Sequence, residues 1–273
     1  LVHHSNGCEL LMHKYEKGKN STRRTADILK PIKAAQNYML SKWNAASFKR
    51  VDCFATICQS DVGYLSRTFS VPPERCAVIE PGIDNFYLDS DWNRDKQQWI
   101  VSLGTWIDRK GISTIVKVVS FLFSKYPNLE YHAIGAEDSK SVILSSFDSI
   151  YHRRIIIHPQ QPCLSDILTQ AKVILFPSLY ESFGLATIEA LACGCNVVAT
   201  PTGFAATIKD GVDGFVCPFD DHELMIRKCR MILDDQDLSL QLRNAGRQRV
   251  APMSWSNQVS ELNSTYKRWV SEY

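Results

Sequence analysis

This chain has almost no net charge, no long apolar run and no repeated unit, and each absence removes a class of function. Against 29 Asp and Glu stand 31 Lys and Arg, a formal charge of +2 over 273 residues. No strong field therefore draws it to nucleic acid or to an acidic membrane. No apolar stretch approaches the roughly 20 residues of a membrane span, and the residues given open on no charged-then-apolar leader. No G-x-G-x-x-G follows a strand-like run and no G-x-x-x-x-G-K-[ST] occurs, which speaks against a nicotinamide dehydrogenase and a P-loop enzyme. The nine cysteines lack the spacing of a disulfide framework or a zinc site. Cys193-Gly-Cys195 alone is too little for a metal, so reduced thiols in a cytosolic setting and no metal are expected. The chain opens on Leu1-Val-His-His4 without Met and reads as a strand cut from something longer.

What is present is a hydrophobic content of 45%, enough for one large core or two modest ones. From about Trp99 onward strand and helix signals alternate. Trp99–Leu103, Leu129–Ile134, Arg154–His158, Val173–Phe176, Asn196–Ala199 and Gly214–Cys217 read as strands. Ile112–Lys125 reads as a helix with Ile112, Ile115, Val116, Val119 and Leu122 on one face. Leu164–Ala171 reads as a shorter helix, and a last amphipathic helix runs to Tyr273. This alternation predicts an α/β fold, an open parallel sheet covered on both faces, with ligands at the carboxyl ends of the strands. The first 95 residues differ. Val2–Ser5, Val51–Ile57 and Ala77–Ile79 read as strands, and Thr25–Arg50 is helix-rich with a kink at Pro31. Polar residues 89–98 read as an interdomain linker.

The stretch Pro177-Ser-Leu-Tyr-Glu181-Ser-Phe-Gly184-Leu-Ala-Thr-Ile-Glu189-Ala-Leu191 carries the most chemistry. It leaves a buried strand and turns through Ser182, Phe183 and Gly184 into a helix ending at Cys193-Gly194. Such a helix start offers unpaired N–H groups and the positive end of a dipole, where a phosphate sits well. Glu189 lies about 7 Å further along the axis at roughly 1.5 Å per residue, within reach of a sugar attached to that phosphate. Glu181, before the turn, reaches a second sugar on the other side. An acid in the apolar company of Ala186, Ile188, Ala190 and Leu191 is costly to bury without a partner. Phosphate in the middle with a hydroxyl-reading acid on each flank suits a nucleotide-sugar.

These residues, with the E-x7-E spacing of Glu181 and Glu189, resemble the donor-site signature of the retaining group 1 glycosyltransferases, family four. Val78-Ile-Glu-Pro-Gly-Ile-Asp84 resembles that family's hinge, Gly104-Thr-Trp-Ile-Asp-Arg-Lys110-Gly111 its first phosphate loop, and Ser254-Trp255 the residues before its last helix. The resemblance implies the GT-B architecture, two Rossmann-like domains with a cleft between them. Residues 96–253 would be a nearly complete nucleotide-sugar donor domain and 1–95 a partial acceptor-side domain with linker. Residues 254–273 would be a helix crossing back to the first domain. Lys110 would neutralise the donor diphosphate, with Gly104, Thr105 and Arg109 in the same loop. The amides of Ser182, Phe183, Gly184 and Leu185 would hold the distal phosphate. Glu189 would take the ribose, Glu181 the transferred sugar, and His158, in the loop His158-Pro-Gln-Gln-Pro162, would lie near the base.

Three features depart from the family pattern. Thr105 stands where many relatives have Arg, Thr202-Gly203 and Ala206 replace a Gly-Gly-acid run, and Asn6 replaces a histidine near Glu9, with His4 two residues before. The activity implied is sugar transfer from a nucleotide-sugar to a glycan, lipid-linked or small-molecule hydroxyl with retained configuration, needing no metal, as in polysaccharide biosynthesis. It carries no cofactor beyond the donor and no nucleic-acid partner, and it suits a cytoplasmic protein or one peripheral at the membrane's inner face. A complementing N-terminal segment would supply the rest of the acceptor side. The alternatives are a nucleotide-sugar-binding chain without turnover, or another GT-B enzyme such as an epimerase or a sugar phosphorylase.

Overall fold

The structure is a computed structural model and describes residues 2–5, 46–48 and 50–272. Most of the helix-rich stretch expected from Thr25, with its kink at Pro31, lies outside the described residues, as do Asn6 and Glu9. The chain divides into two compact units, one of Leu1–Glu80 with Gln258–Tyr273, the other of Pro81–Asn257.

The first unit holds a parallel sheet, β1 (Val2–Ser5), β2 (Cys53–Thr56) and β3 (Cys76–Val78), in that order. A helix, Gln59–Phe69, connects β2 to β3 and stops at Ser70 in the left-handed region. Strand alternation sends Phe54 to one face, with Val51, Leu65 and Val71. Cys53 and Ala55 face the other way and pack with Trp269 of the last helix, Trp255–Glu272.

The second unit is a six-stranded, wholly parallel sheet. Its strands are β4 (Gln97–Leu103), β5 (Glu130–Ile134), β6 (Ile155–His158), β7 (Ala171–Phe176), β8 (Asn196–Ala199) and β9 (Phe215–Val216). Their spatial order is β6-β5-β4-β7-β8-β9. The chain builds outward from β4 in one direction, returns, and builds outward from β7 in the other. The carboxyl ends of β4 and β7, where the strand order reverses, are the usual ligand position in a doubly wound sheet. Helix Ile112–Lys125 returns the chain from β4 to β5 and buries Ile115, Val118, Val119 and Leu122. They pack against Ile100, Tyr131, Val173 and Leu175, each such side chain stabilising by about 1.5–3 kcal/mol. Helix Leu185–Ala192 joins β7 to β8.

Two expectations change. The helix predicted over 164–171 covers only Ser165–Leu168, because Ala171 already opens β7. The polar run 89–98 belongs to the second unit and is tied down there. Buried Arg243 donates to the carbonyls of Trp92 (2.9 Å), Arg94 (3.3 Å) and Gly194 (3.1 Å). Side-chain polarity suggested a solvated linker, but its backbone carbonyls are what satisfy a buried guanidinium.

Candidate functional site

The loop leaving β4 begins at Gly104, where a Cβ would stand 3.0 Å from Lys110 Cε. Its bare Cα lets the lysine lie back across the loop. Asp108–Lys110 form one tight turn closed by Gly111, at φ 71. A Cβ on Gly111 would meet the Pro177 carbonyl oxygen at 2.0 Å, and Leu179 N donates to Arg109 O at 2.8 Å. The loops after β4 and β7 are thus joined backbone to backbone across the point where strand order reverses.

That junction sets the charges. Lys110 Nζ donates to Glu181 Oε1 at 2.7 Å, and Ser178 Oγ donates to the same oxygen at 2.8 Å. Arg109 lies 3.5 Å from Glu181 Oε2 and donates to Tyr180 O at 3.0 Å. Just beyond, Phe183 is buried with its ring against Phe204, and its carbonyl accepts from Phe204 N at 2.5 Å. Among the described residues, none accepts a hydrogen bond from the amides of Phe183, Gly184 or Leu185. The start of the 185–192 helix is therefore an open cluster of donors at the positive end of a dipole.

Beside it lies a cleft of about 320 Å³. Its floor is Leu103 and Ile134, the last residues of β4 and β5, with Gly104 and Thr105 at the edge. Gln160, Gln161, Pro162, Tyr87 and Glu189 complete its lining. Glu189 is mostly buried, and no described side chain hydrogen-bonds to its carboxylate. Burial, and then the charge of Asp84, push its pKa up to about 7. Tyr87, in the short helix Asn85–Leu88, is almost fully buried. Its phenol is pushed upward by burial and then by Glu189, against a hydrogen bond with the Leu164 backbone. An acid held without donors at a concave surface is suited to accept hydrogen bonds from ligand hydroxyls.

The structure brings Gly104, Thr105, Arg109, Lys110, Glu181, Ser182, the 183–185 amides and Glu189 to one edge of the sheet. It does not bring His158 into the walls of the cleft. The His158 ring lies against His132, Nε2 to Nδ1 at 3.0 Å and stacked at 5.1 Å between centroids. The cleft receives the residues that follow it instead, while its carbonyl accepts from Gly135 N. His158 pairs in register with Ile134 and shares a sheet face with His132, whose ring it meets. Ser178 and Tyr87 carry no role in the sequence reading. Ser178 sits inside the central motif, three residues before Glu181. Tyr87 falls in a four-residue helix too short to show a period. Among the described residues, no group of His, Cys, Asp or Glu is arranged to hold a metal ion, and no helix is long and apolar enough to cross a membrane.

A parallel, doubly wound sheet whose strand order reverses between β4 and β7 defines a Rossmann-like type of domain. Residues 88–249 match the family model of the glycosyl transferases group 1, and the chain belongs to that family. Phosphatidyl-myo-inositol mannosyltransferase of Mycolicibacterium smegmatis is 27% identical over 161 residues, 58% of this chain and 42% of that protein. Sucrose-phosphate synthase from Thermosynechococcus elongatus superposes with a TM-score of 0.76 at 19% identity, covering 100% of this chain and 68% of the other. HepE of Anabaena, solved in complex with UDP-glucose, superposes at 0.67 and 13% identity over 80% of this chain and 64% of its own. These likenesses establish the GT-B fold. The chain spans about half the length of the curated relatives it matches, 42%, 54% and 57% of the first three.

Proposed function

We propose that this chain carries the donor side of a glycosyltransferase that moves a sugar from a nucleoside-diphosphate sugar to a hydroxyl acceptor with retained configuration. The observation that supports this most is the open helix start at 183–185, flanked by Glu181 on one side and Glu189 on the other. On this reading residues 96–253 form the donor domain, 1–95 belong to an acceptor-side domain, and 254–273 return to it. The nucleoside lies in the cleft beside Gln160, Gln161 and Tyr87, with its ribose hydroxyls on Glu189. The diphosphate meets the helix start and Lys110, and Glu181 holds the transferred sugar. As the sugar–phosphate bond breaks, the growing negative charge on the leaving diphosphate is stabilised by those amides and by Lys110. The acceptor oxygen bonds to the anomeric carbon on the face the phosphate leaves, and the departing phosphate oxygen takes the acceptor's proton. Lys110 must release Glu181 for this, exchanging one anion for another.

The relatives suggest acceptors of the glycan or lipid-linked kind, the mycobacterial mannosyltransferase by its name acting on phosphatidyl-myo-inositol. Calorimetry with UDP, GDP and ADP, followed by product analysis with the matching radiolabelled donors, tests the proposal. Binding of one nucleotide with transfer to an added acceptor is expected, and no binding of any of the three would overturn it. A second reading is donor binding without turnover, which the same experiment reports as affinity with no product.

A further inference from the structure

We propose that Ser178, which does not touch the donor, is a positioning residue that fixes which oxygen of Glu181 faces the transferred sugar. The inference rests on the donor-site reading above. Ser178 is 1% exposed, and its hydroxyl donates to Glu181 Oε1 at 2.8 Å. Its own backbone is held from the neighbouring strand. Thr200, directly after β8 and equally buried, donates through Oγ1 to Ser178 O at 2.5 Å and to Phe176 O at 3.2 Å. Thr200 N adds a bond to Phe176 O at 3.0 Å. A chain of buried bonds therefore runs from the sheet through Ser178 to the carboxylate.

The distribution of donors on that carboxylate is unequal. Oε1 carries both Lys110 and Ser178, at 2.7 and 2.8 Å, whereas Oε2 has Arg109 at 3.5 Å. When a diphosphate draws Lys110 away, Oε1 keeps the Ser178 bond, and a hydroxyl-to-carboxylate bond away from water is among the stronger ones. The carboxylate then cannot turn about its terminal bond, and Oε2 stays presented to a ligand hydroxyl. Without Ser178 both oxygens are free to rotate, and the sugar meets an acid with no fixed direction. The nucleotide cleft, built from Glu189, Tyr87 and the 160–162 wall, does not involve Ser178.

The test uses the full chain with Ser178→Ala, Glu181→Ala and the double variant. Each is titrated by calorimetry with UDP, GDP and ADP and with UDP-glucose, GDP-mannose and ADP-glucose. The quantity read is the affinity gained on adding the sugar to the nucleotide. In Ser178→Ala, nucleotide affinity stays near wild type while the sugar's contribution falls about fivefold, as expected for loss of one buried hydrogen bond. In the Glu181→Ala background Ser178→Ala adds no further loss, because the acceptor of its hydroxyl is gone. An unchanged sugar contribution in Ser178→Ala, or a double variant showing the full product of the two single losses, overturns the inference. Two separate results bring down the donor-site reading, and the inference with it: none of the six compounds binding the wild type, or Glu181→Ala keeping the wild-type sugar contribution.

Discussion

Lys110 Nζ stands 2.7 Å from Glu181 Oε1, so two groups assigned to different parts of one ligand are bonded to each other. A diphosphate arriving at the helix start must compete with Glu181 for the ammonium. A partly buried pair of this kind is worth on the order of 1 kcal/mol. Glu181→Gln is therefore expected to bind the bare nucleoside diphosphate about fivefold more tightly while abolishing sugar transfer. Lys110→Ala should lose at least about tenfold in diphosphate affinity, along with part of its salt dependence, and should also abolish transfer. Calorimetry at low and high salt, with radiolabelled-donor turnover, measures both. Weaker diphosphate binding in Glu181→Gln would show that the pair does not compete with the ligand.

Glu189 gives the second prediction. Its pKa, pushed up to about 7 by burial and Asp84, means the acid is partly protonated at neutral pH, and only the anion accepts from both ribose hydroxyls. Nucleotide affinity should fall as pH drops below about 7 and level off in Glu189→Gln, which titrates nowhere in that range. Isothermal titrations from pH 5.5 to 8.5 read this directly. Equal pH profiles for wild type and Glu189→Gln would take Glu189 out of the nucleotide site.

The junction at Gly111 gives the third. An alanine Cβ there would need to sit 2.0 Å from the Pro177 carbonyl oxygen, on a residue whose φ is 71. Gly111→Ala should therefore cost on the order of 2 kcal/mol of stability and part the two loops that the Leu179–Arg109 bond joins. Nucleotide affinity falls with it, because Lys110 and Glu181 lose their common support. Chemical denaturation gives the first quantity and calorimetry the second. A stable variant with intact affinity would mean that the loops are not coupled.

The strands, the 112–125 helix and the central motif were legible because each rests on local chemistry: apolar runs of strand length, a 3.6-residue period, glycine at a turn. The spacing of Glu181 and Glu189 marks them as candidates within that motif, and the resemblance of its loop to the family's marks Lys110. What the sequence did not disclose depends on which face a residue takes once strands pair. His158 ends β6, and its ring meets that of His132 on the neighbouring strand, a contact no local pattern discloses. Ser178 lay in plain view, but its importance comes from Thr200, 22 residues on, across a strand. Tyr87 reached the cleft from a helix of four residues with no period to read. In the 89–98 run the backbone carbonyls of Trp92 and Arg94, which no side-chain pattern reveals, hold Arg243.

The His132–His158 pair supplies the last prediction, and its sign is opposite to that of Glu189. Burial lowers both imidazoles, His132 to about 4, while Glu130 pulls His132 weakly the other way from 3.4 Å. The unfolded chain binds more protons than the folded one between about pH 4 and pH 6.5, so stability is lost as pH falls through that window. Glu189 does the reverse, since its folded pKa lies above its unfolded value. Its favourable contribution is complete below about pH 4.5 and is lost as pH rises through about 7. In the wild type the two slopes oppose each other over nearly the same range. His132→Gln should therefore lose stability as pH rises from 4.5 to 7 relative to wild type, and Glu189→Gln should gain it, each by on the order of 2 kcal/mol. Denaturant unfolding at half-unit pH steps separates them. Loss of the Trp99 ring contact 4.1 Å from His132 shifts the whole His132→Gln curve without tilting it, so only the slope decides. Curves parallel to wild type in either variant would remove that group from the titration.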